Sequence, residues 1–477
     1  MAKLADIKKD FAQWYQDVLA ESEFIDYGPT SGFFILRPYC YALWESIKTV
    51  LDEKIAQTGT QNAYFPLLIP ESFLKKEAKH VEGFAPEVAV VTHAGGKKLE
   101  EPLVIRPTSE TIVYHMFSKW IKSYRDLPLK INQWANVVRW ELRTRPFLRT
   151  REILWQEGHT AHRTQEEAAQ MAEQILKLYK DFIENYLAIP VIAGMKSESE
   201  RFAGADRTYC VEGFMQDGKA LQMGTTHVLA HSFSESFDIK FQDEDGEVKS
   251  PHCSSWGVST RLIGALIMAH GDQNGLIMPP KIAPIKAVII PIYKKEEDKA
   301  EVLKKANELK AKLCKQNFIV IIDEDEQLTP GAKFFHWELK GVPVRIEIGP
   351  KDIEKNQVVL VNRVEEDRSK KKSFIDMQNI EQALNDLLET IQKQLFEKAQ
   401  KRLKDNWHQA DKLEEFGPLL EKENSFYQTG WCGCEECELK LKDFKTTIRC
   451  LLKDKTHDTC FSCGKSSKTD VLVAKAY

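Results

Sequence analysis

No stretch of this 477-residue sequence approaches the roughly 20 consecutive apolar residues that a membrane-spanning helix needs. The first 23 residues also lack the apolar core of a signal peptide. Leu4, Ile7, Phe11, Trp14 and Val18 recur there at helical spacing with charges between them, which predicts an amphipathic helix. The expectation is a cytoplasmic protein with no membrane partner. An excess of one charge sign is missing as well: 67 Lys+Arg against 71 Asp+Glu leave a formal net charge of −4. That balance excludes a uniformly basic nucleic-acid coat, so any contact with RNA or phosphate must be local. Internal repeats and low-complexity segments are absent. Cysteine is scarce until the end, where Cys432, Cys434, Cys437, Cys450, Cys460 and Cys463 crowd into the last 46 residues. In a large chain without a secretion signal, such clustering favours a metal over disulfides.

What remains is the composition of a globular protein, 43% hydrophobic and 29% charged, long enough for two to four domains. Residues 1–283 alternate strand-like runs (AYFPLLIP, QWANVVRWEL, REILWQE) with helical patterns. Among the latter is TQEEAAQMAEQILKLYKDFIENYL, which opens on a capping threonine. This predicts an α+β domain on an antiparallel sheet. Four prolines in MPPKIAPIKAVIIPI mark a boundary near residue 283. Residues 284–400 then alternate strands and helices, which predicts a compact α/β domain with parallel pairing and a long helix from about Ile380. Residues 401–477 form a small, irregular, cysteine-rich α/β unit ending in the strand DVLVAKAY.

Three features carry chemistry. NVVRWEL and REILWQEGHTAH suit extended structure and enclose RTRPFLRT, so a hairpin with an arginine-bearing loop is expected, its five arginines converging. Guanidinium forks fit phosphate oxygens, and a triphosphate needs several of them. A solvated charged turn is the competing reading of this segment alone. In GVSTRLIGALIMAHGD small residues lead through Arg261 into a helix, a junction where a flat ligand can approach the backbone. AYFPLLIP is a strand interrupted by proline, suited to an edge or an interface.

In this order the three features resemble motifs 1, 2 and 3 of the class II aminoacyl-tRNA synthetases. With RPTSET (106–111), QMGTTH (222–227), SSWGVSTR (254–261), GLIMPPKIAP and PGAKFFHWELKGVPVRIEIGP, the chain resembles the prolyl-tRNA synthetase family over essentially its whole length. The resemblance implies a class II antiparallel-sheet catalytic domain, an α/β anticodon-binding domain and a zinc-binding C-terminal domain. It implies a homodimer with Pro66 near its interface, and as ligands L-proline, ATP, Mg2+ and tRNA(Pro). Proline would be activated to prolyl-adenylate and transferred to the 3' end of the tRNA, with no covalent enzyme intermediate.

Carried over to matching positions, Thr108 and Glu110 would hold the cationic prolyl nitrogen, and Arg139 would be the catalytic residue that bridges proline's carboxylate and the α-phosphate. Trp155, Phe202 and His227 would complete the proline pocket. Glu141 would sit near adenine, Arg149 and Thr150 near adenine or the outer phosphates. Gln222, Thr225, Ser259 and Arg261 would complete the nucleotide and magnesium shell. A class II synthetase for threonine is a rival, disfavoured by the TSE and TTH elements; a catalytically silent RNA-binding relative is another. Only 122 positions separate Arg139 from Arg261, too few for a large editing insertion between motifs 2 and 3.

In the second domain the resemblance assigns Lys333, Arg345 and Glu347 to the anticodon bases. In the tail, Cys460 and Cys463 form C-x2-C, and either Cys432 or Cys434 can pair with Cys437. The family's wider spacing selects Cys432, Cys437, Cys460 and Cys463 as a structural zinc site, with Cys434 and Cys450 as spare thiols. The Tyr477 carboxylate would lie near the catalytic pocket, or else end a simple surface strand.

Overall fold

The computed structural model describes residues 4–76 and 88–477. The site rests on strands β1 (Gln61–Asn62), β2 (Leu129–Val138), β3 (Glu152–His162), β4 (Val191–Met195), β5 (Arg207–Phe214), β6 (Ala220–Ala230) and β7 (His252–Ser259). Around them lie helices α1 (Phe11–Glu21), α2 (Pro38–Ala56), α3 (Glu110–Trp120), α4 (Gln165–Tyr186) and α5 (Arg261–His270). Neighbours from β4 through β5, β6, β7 and β3 to β2 all pair antiparallel, as expected.

Helix α4 shows why these elements form. Thr164 accepts from the Glu167 N–H at its start, and Ala168, Met171, Ala172, Ile175, Tyr179, Phe182 and Ile183 make one buried face. That face joins Trp14, Leu43 and Ile47 from α1 and α2, Val211, Trp256 and Val258 from the sheet, and Leu262 and Leu266 of α5 in the main core. Across the sheet, Val113, Tyr114 and Phe117 of α3 pack with Phe233, Phe237 and Ile239.

The second unit holds β8 (Ala287–Pro291), β9 (Val320–Ile322), β10 (Val344–Ile348), β11 (Gln357–Asn362) and β12 (Lys372–Asp376), in the order β9-β8-β10-β11-β12. Its helices are α6 (Glu296–Cys314), α7 (Pro330–Leu339) and α8 (Ile380–Asp405). Parallel pairing is confined to β8 with its two neighbours; β10–β11 and β11–β12 are antiparallel, because connections 349–356 and 363–371 are too short for the crossover that a parallel neighbour needs.

The last strands are β13 (Trp407–Gln409), β14 (Phe426–Trp431), β15 (Thr447–Leu451) and β16 (Thr469–Ala474), with the short helix α9 (Glu435–Leu439) between β14 and β15. They extend the catalytic sheet. Leu451 of β15 pairs with Met195 of β4, giving one 11-stranded sheet ordered β13-β14-β16-β15-β4-β5-β6-β7-β3-β2-β1. A Cβ on Gly194 would lie 2.7 Å from Cys450 Cβ and from the Leu451 carbonyl, so glycine permits this close join.

Two local expectations fail. The N-terminal helix begins at Phe11, where the Asp10 side chain caps it by accepting from Gln13 N–H; residues 4–10 only form a turn, and residues 1–3 lie outside the described residues. AYFPLLIP is not one strand: only Leu68–Pro70 pairs, since the proline at 66 interrupts the ladder before it. No described helix is long and apolar enough to cross a membrane.

Candidate active site

Strands β2 and β3 pair from Leu129↔Ala161 to Val138↔Glu152, so residues 139–151 form the expected loop at a hairpin's tip. Phe147 and Leu148 anchor the loop in the main core, and reciprocal backbone bonds between Arg145 and Arg149 close its turn. The five arginines do not all converge. Arg151 lies 4.4 Å from the Trp140 ring centroid and donates to the carbonyls of Glu141 and Ser31. Arg145 lies over the Tyr477 ring, and Arg143 is exposed. Of the five only Arg139 lines the site, with Arg261, whose guanidinium is pushed down to about 10 by burial and then by the charge of Arg139.

Beneath the loop is a cavity of about 290 Å³. It gathers Thr108, Glu110, Arg139, Trp155, Phe202, Gln222, Thr225, His227, Ser259 and Arg261, so ten positions named from the sequence share one space. Arg139 is aimed by its Nε bond to the Pro107 carbonyl (3.0 Å) and by the Trp155 ring 5.4 Å away. Arg261, at the start of α5, donates to the carbonyls of Gln222 (3.3 Å) and Leu148 (3.2 Å); its own N–H donates to Ser259 Oγ. The three other named residues stand outside the lining. Glu141 and Arg149 face each other at 4.0 Å within the loop, and buried Thr150 donates its hydroxyl to the Glu152 carbonyl.

The cavity lining carries groups of both charge signs. The Thr108 hydroxyl donates to the Glu110 carboxylate, and Glu157 joins them in the lining. Phe202 faces His227 with ring centroids 4.6 Å apart, and Thr208 Oγ1 bonds both the Phe202 N–H and His227 Nδ1. Burial and then the nearby His159 push the His227 imidazole down to about 3, so it is neutral at physiological pH. The lining also holds the cations Arg139, Arg261 and Lys196 and the neutral oxygens of Gln222 and Ser259. A zwitterion fits such a space with its cation toward Glu110 and its anion toward the guanidinium groups, where further negative charge is also accommodated.

Several lining residues escaped the sequence reading: Glu157, Lys196, Thr208, Ser255 and Trp256. Glu157 was within reach of a simple rule, because alternation along β3 puts it on the same face as Ile153 and Trp155. Burial alone would raise its carboxyl, yet His159, Ser109 and Gln133, at 3.1, 2.5 and 2.9 Å, hold it below the usual carboxylate range. Lys196, just past β4, and Thr208, on β5, carry no local signal.

In the tail, Cys432, Cys437, Cys460 and Cys463 bring their sulfurs within 4.8 Å of one another, and Cys434 stays outside, exposed. Cys432 Sγ is 3.7 Å from that of Cys437 and 3.8 Å from that of Cys463. Tyr477 is no free strand end: its N–H donates to the Ala220 carbonyl, its hydroxyl to Asp217, and Arg145 and Lys219 lie over its ring. In the second unit, Arg345 donates to Glu347 Oε1 at 3.0 and 2.9 Å and lies 4.0 Å from the Phe334 ring centroid. Lys333, expected to face RNA, is instead buried, because its ammonium turns inward to donate to the Asp323 carbonyl.

Comparison with known proteins agrees with this layout. Residues 92–270 match the tRNA synthetase class II core domain (G, H, P, S and T), 286–394 an anticodon binding domain, and 413–477 the prolyl-tRNA synthetase C-terminal domain. The chain is 50% identical to proline–tRNA ligase 2 of Clostridioides difficile, over 100% of this chain and 98% of that one. It is 51% identical to the proline–tRNA ligase of Natranaerobius thermophilus, over 98% and 97% of the two chains. The crystal structure of prolyl-tRNA synthetase from Cryptosporidium parvum, complexed with halofuginone and AMPPNP, superposes with a TM-score of 0.94 at 43% identity, covering 100% of this chain and 99% of that one.

Proposed function

The chain belongs to the prolyl-tRNA synthetase family of class II synthetases, and from that premise we propose how its own residues divide the work. It activates proline with ATP and charges tRNA. In the first step a proline carboxylate oxygen attacks the α-phosphorus of ATP and pyrophosphate leaves. In the second a terminal ribose hydroxyl of tRNA(Pro) attacks the prolyl carbonyl and AMP leaves.

The observation that carries the assignment of roles is the polarity of the cavity. Glu110 and Thr108 receive the prolyl ammonium, while Phe202 and Trp155 flank the ring with His227 as a neutral wall. Arg139 contacts the proline carboxylate and the α-phosphate together, so its attraction grows as charge builds in the transition state. Arg261 and Arg149 hold the outer phosphates, Glu141 the adenine amino group, and Gln222, Thr225 and Ser259 the remaining nucleotide contacts. Thr150 acts from behind, fixing the loop's return into β3. Mg2+ enters with ATP as part of the substrate.

Around this centre, residues 1–283 are the catalytic domain, 284–400 the anticodon-binding domain and 401–477 the zinc-binding domain. A thiolate–zinc bond of about 2.3 Å gives a tetrahedral S···S edge of about 3.8 Å; the sulfur separations of 3.7 and 3.8 Å fit it. With four protein ligands the zinc is structural. Arg345 and Glu347 read the anticodon guanines, and Lys333 supports that surface from within. Exposed Tyr64 and Leu68 flank Pro66 and supply apolar surface for a second copy in a homodimer. Ten free cysteines suit the reducing cytoplasm.

Charging of a tRNA(Pro) transcript with labelled proline tests the reading. Stable prolyl-tRNA with that transcript, and none with a threonine tRNA, is expected; charging of the latter with threonine would overturn it.

A further inference from the structure

Two buried tethers run from the C-terminal unit into the root of the segment that brings Phe202 to the cavity wall. Residues 196–206 bring Lys196, Glu200 and Phe202 to the lining. Lys196 Nζ donates to Glu212 Oε1 at 2.9 Å, and the same carboxylate takes a guanidinium nitrogen of Arg449, on β15, at 3.0 Å from each oxygen. Arg449 is itself braced by a 2.9 Å bond to Thr447 Oγ1. One residue along, Ser197 Oγ donates to Glu438 Oε1 at 2.6 Å, and Glu438 lies on α9, the turn that also bears Cys437. Lys196, Ser197, Glu212, Glu438 and Arg449 are all buried.

One cation would neutralise Glu212, yet two hold it, one from each side of the β4–β15 join. A carboxylate gripped from the tail cannot follow Lys196 if the segment shifts, so the ammonium stays at the cavity wall. Glu438 does the same for the next residue. The groups assigned to ATP come from other segments: the arginine loop, β6, β7 and the start of α5.

We propose that the C-terminal unit positions the proline pocket: Arg449, through Glu212 and Lys196, and Glu438, through Ser197, fix the root of segment 196–206 and thereby set the affinity for proline. This deepens the proline-activating reading and rests on it. The five named residues are positioning residues, and none reacts.

The test uses the full-length chain with Ser197→Ala, Glu438→Leu, Glu438→Gln, Arg449→Met and Arg449→Lys, each measured by ATP–pyrophosphate exchange and by hydrogen exchange of amides 197–206. Glu438→Leu is expected to raise KM for proline by about tenfold, the loss of one buried charge-assisted hydrogen bond, and Arg449→Met, which loses all its bonds to Glu212, by at least as much. kcat and KM for ATP should stay within about twofold. Glu438→Gln and Arg449→Lys, which keep an acceptor and a donor, should restore much of the loss, and Ser197→Ala should act in the same direction as Glu438→Leu. Amides 197–206 should exchange faster in Glu438→Leu than in the parent. An unchanged KM for proline, or parallel changes in KM for ATP and kcat, overturns the proposal. If Arg449→Met does not fold, Ser197→Ala and the Glu438 pair decide. A parent enzyme silent with proline would sink the activity reading instead, and the hydrogen-exchange comparison would still decide the tether.

Discussion

Gly158, on β3, has the Trp256 ring where a side chain would begin. A Cβ there would fall 2.0 Å from Trp256 Cε2 and 2.3 Å from Cζ2 and Nε1. Carbon atoms pack at about 3.5 Å, so Gly158→Ala requires the ring to retreat by about 1.5 Å. The ring has little room, being 2% exposed and part of both the main core and the cavity wall. Overpacking a filled core costs about 1–3 kcal/mol, and an overlap this deep belongs at about 3 kcal/mol. Any retreat toward the cavity also narrows the space for substrate, so KM for proline should rise by about tenfold. Urea unfolding followed by tryptophan fluorescence, with pyrophosphate exchange on the same preparations, measures both. A variant within about 0.5 kcal/mol of the parent, with unaltered KM, would refute the packing argument.

Arg139→Ala should cut adenylate formation by about 10²–10³-fold, as for loss of a transition-state donor, while tRNA binding by filter retention stays near normal. Metal analysis should find one zinc per chain; Cys460→Ser should lose it and be less stable by several kcal/mol, whereas Cys434→Ser should keep it. His227 titrates near 6.5 in the unfolded chain but only at about 3 when folded. Between those values the unfolded state binds the extra proton, so stability falls as pH drops, by at most about 1.4 kcal/mol per pH unit. Urea midpoints at pH 7 and pH 5 should therefore differ less in His227→Gln than in the parent.

What could be read from the chain followed local rules. Thr164 announces α4, alternation and the proline of RTRPFLRT announce the β2–β3 hairpin, and the small residues before Arg261 announce the β7–α5 junction. Seven of the ten site positions met in one cavity because they lie on or just beyond β2, β3, β6 and β7, which are neighbours in one sheet. The misses were non-local. Nothing near Leu451 signals that it pairs with Met195, 256 positions earlier, so the tail read as a separate unit although its strands prolong the catalytic sheet. Lys196 and Arg449 are unremarkable until Glu212 lies between them. The arginines were over-read for a related reason: charge shows in a sequence, but the aromatic partners that divert Arg145 and Arg151, Tyr477 and Trp140, do not show as such.

The central claim is that one cavity holds proline and ATP together for adenylate formation. ATP–pyrophosphate exchange with each of the twenty amino acids, with magnesium and without tRNA, tests it most directly. Strong exchange with proline, and at most weak exchange with smaller amino acids, is predicted. Silence with all twenty from a folded, zinc-loaded preparation, or preferred exchange with threonine, would contradict it.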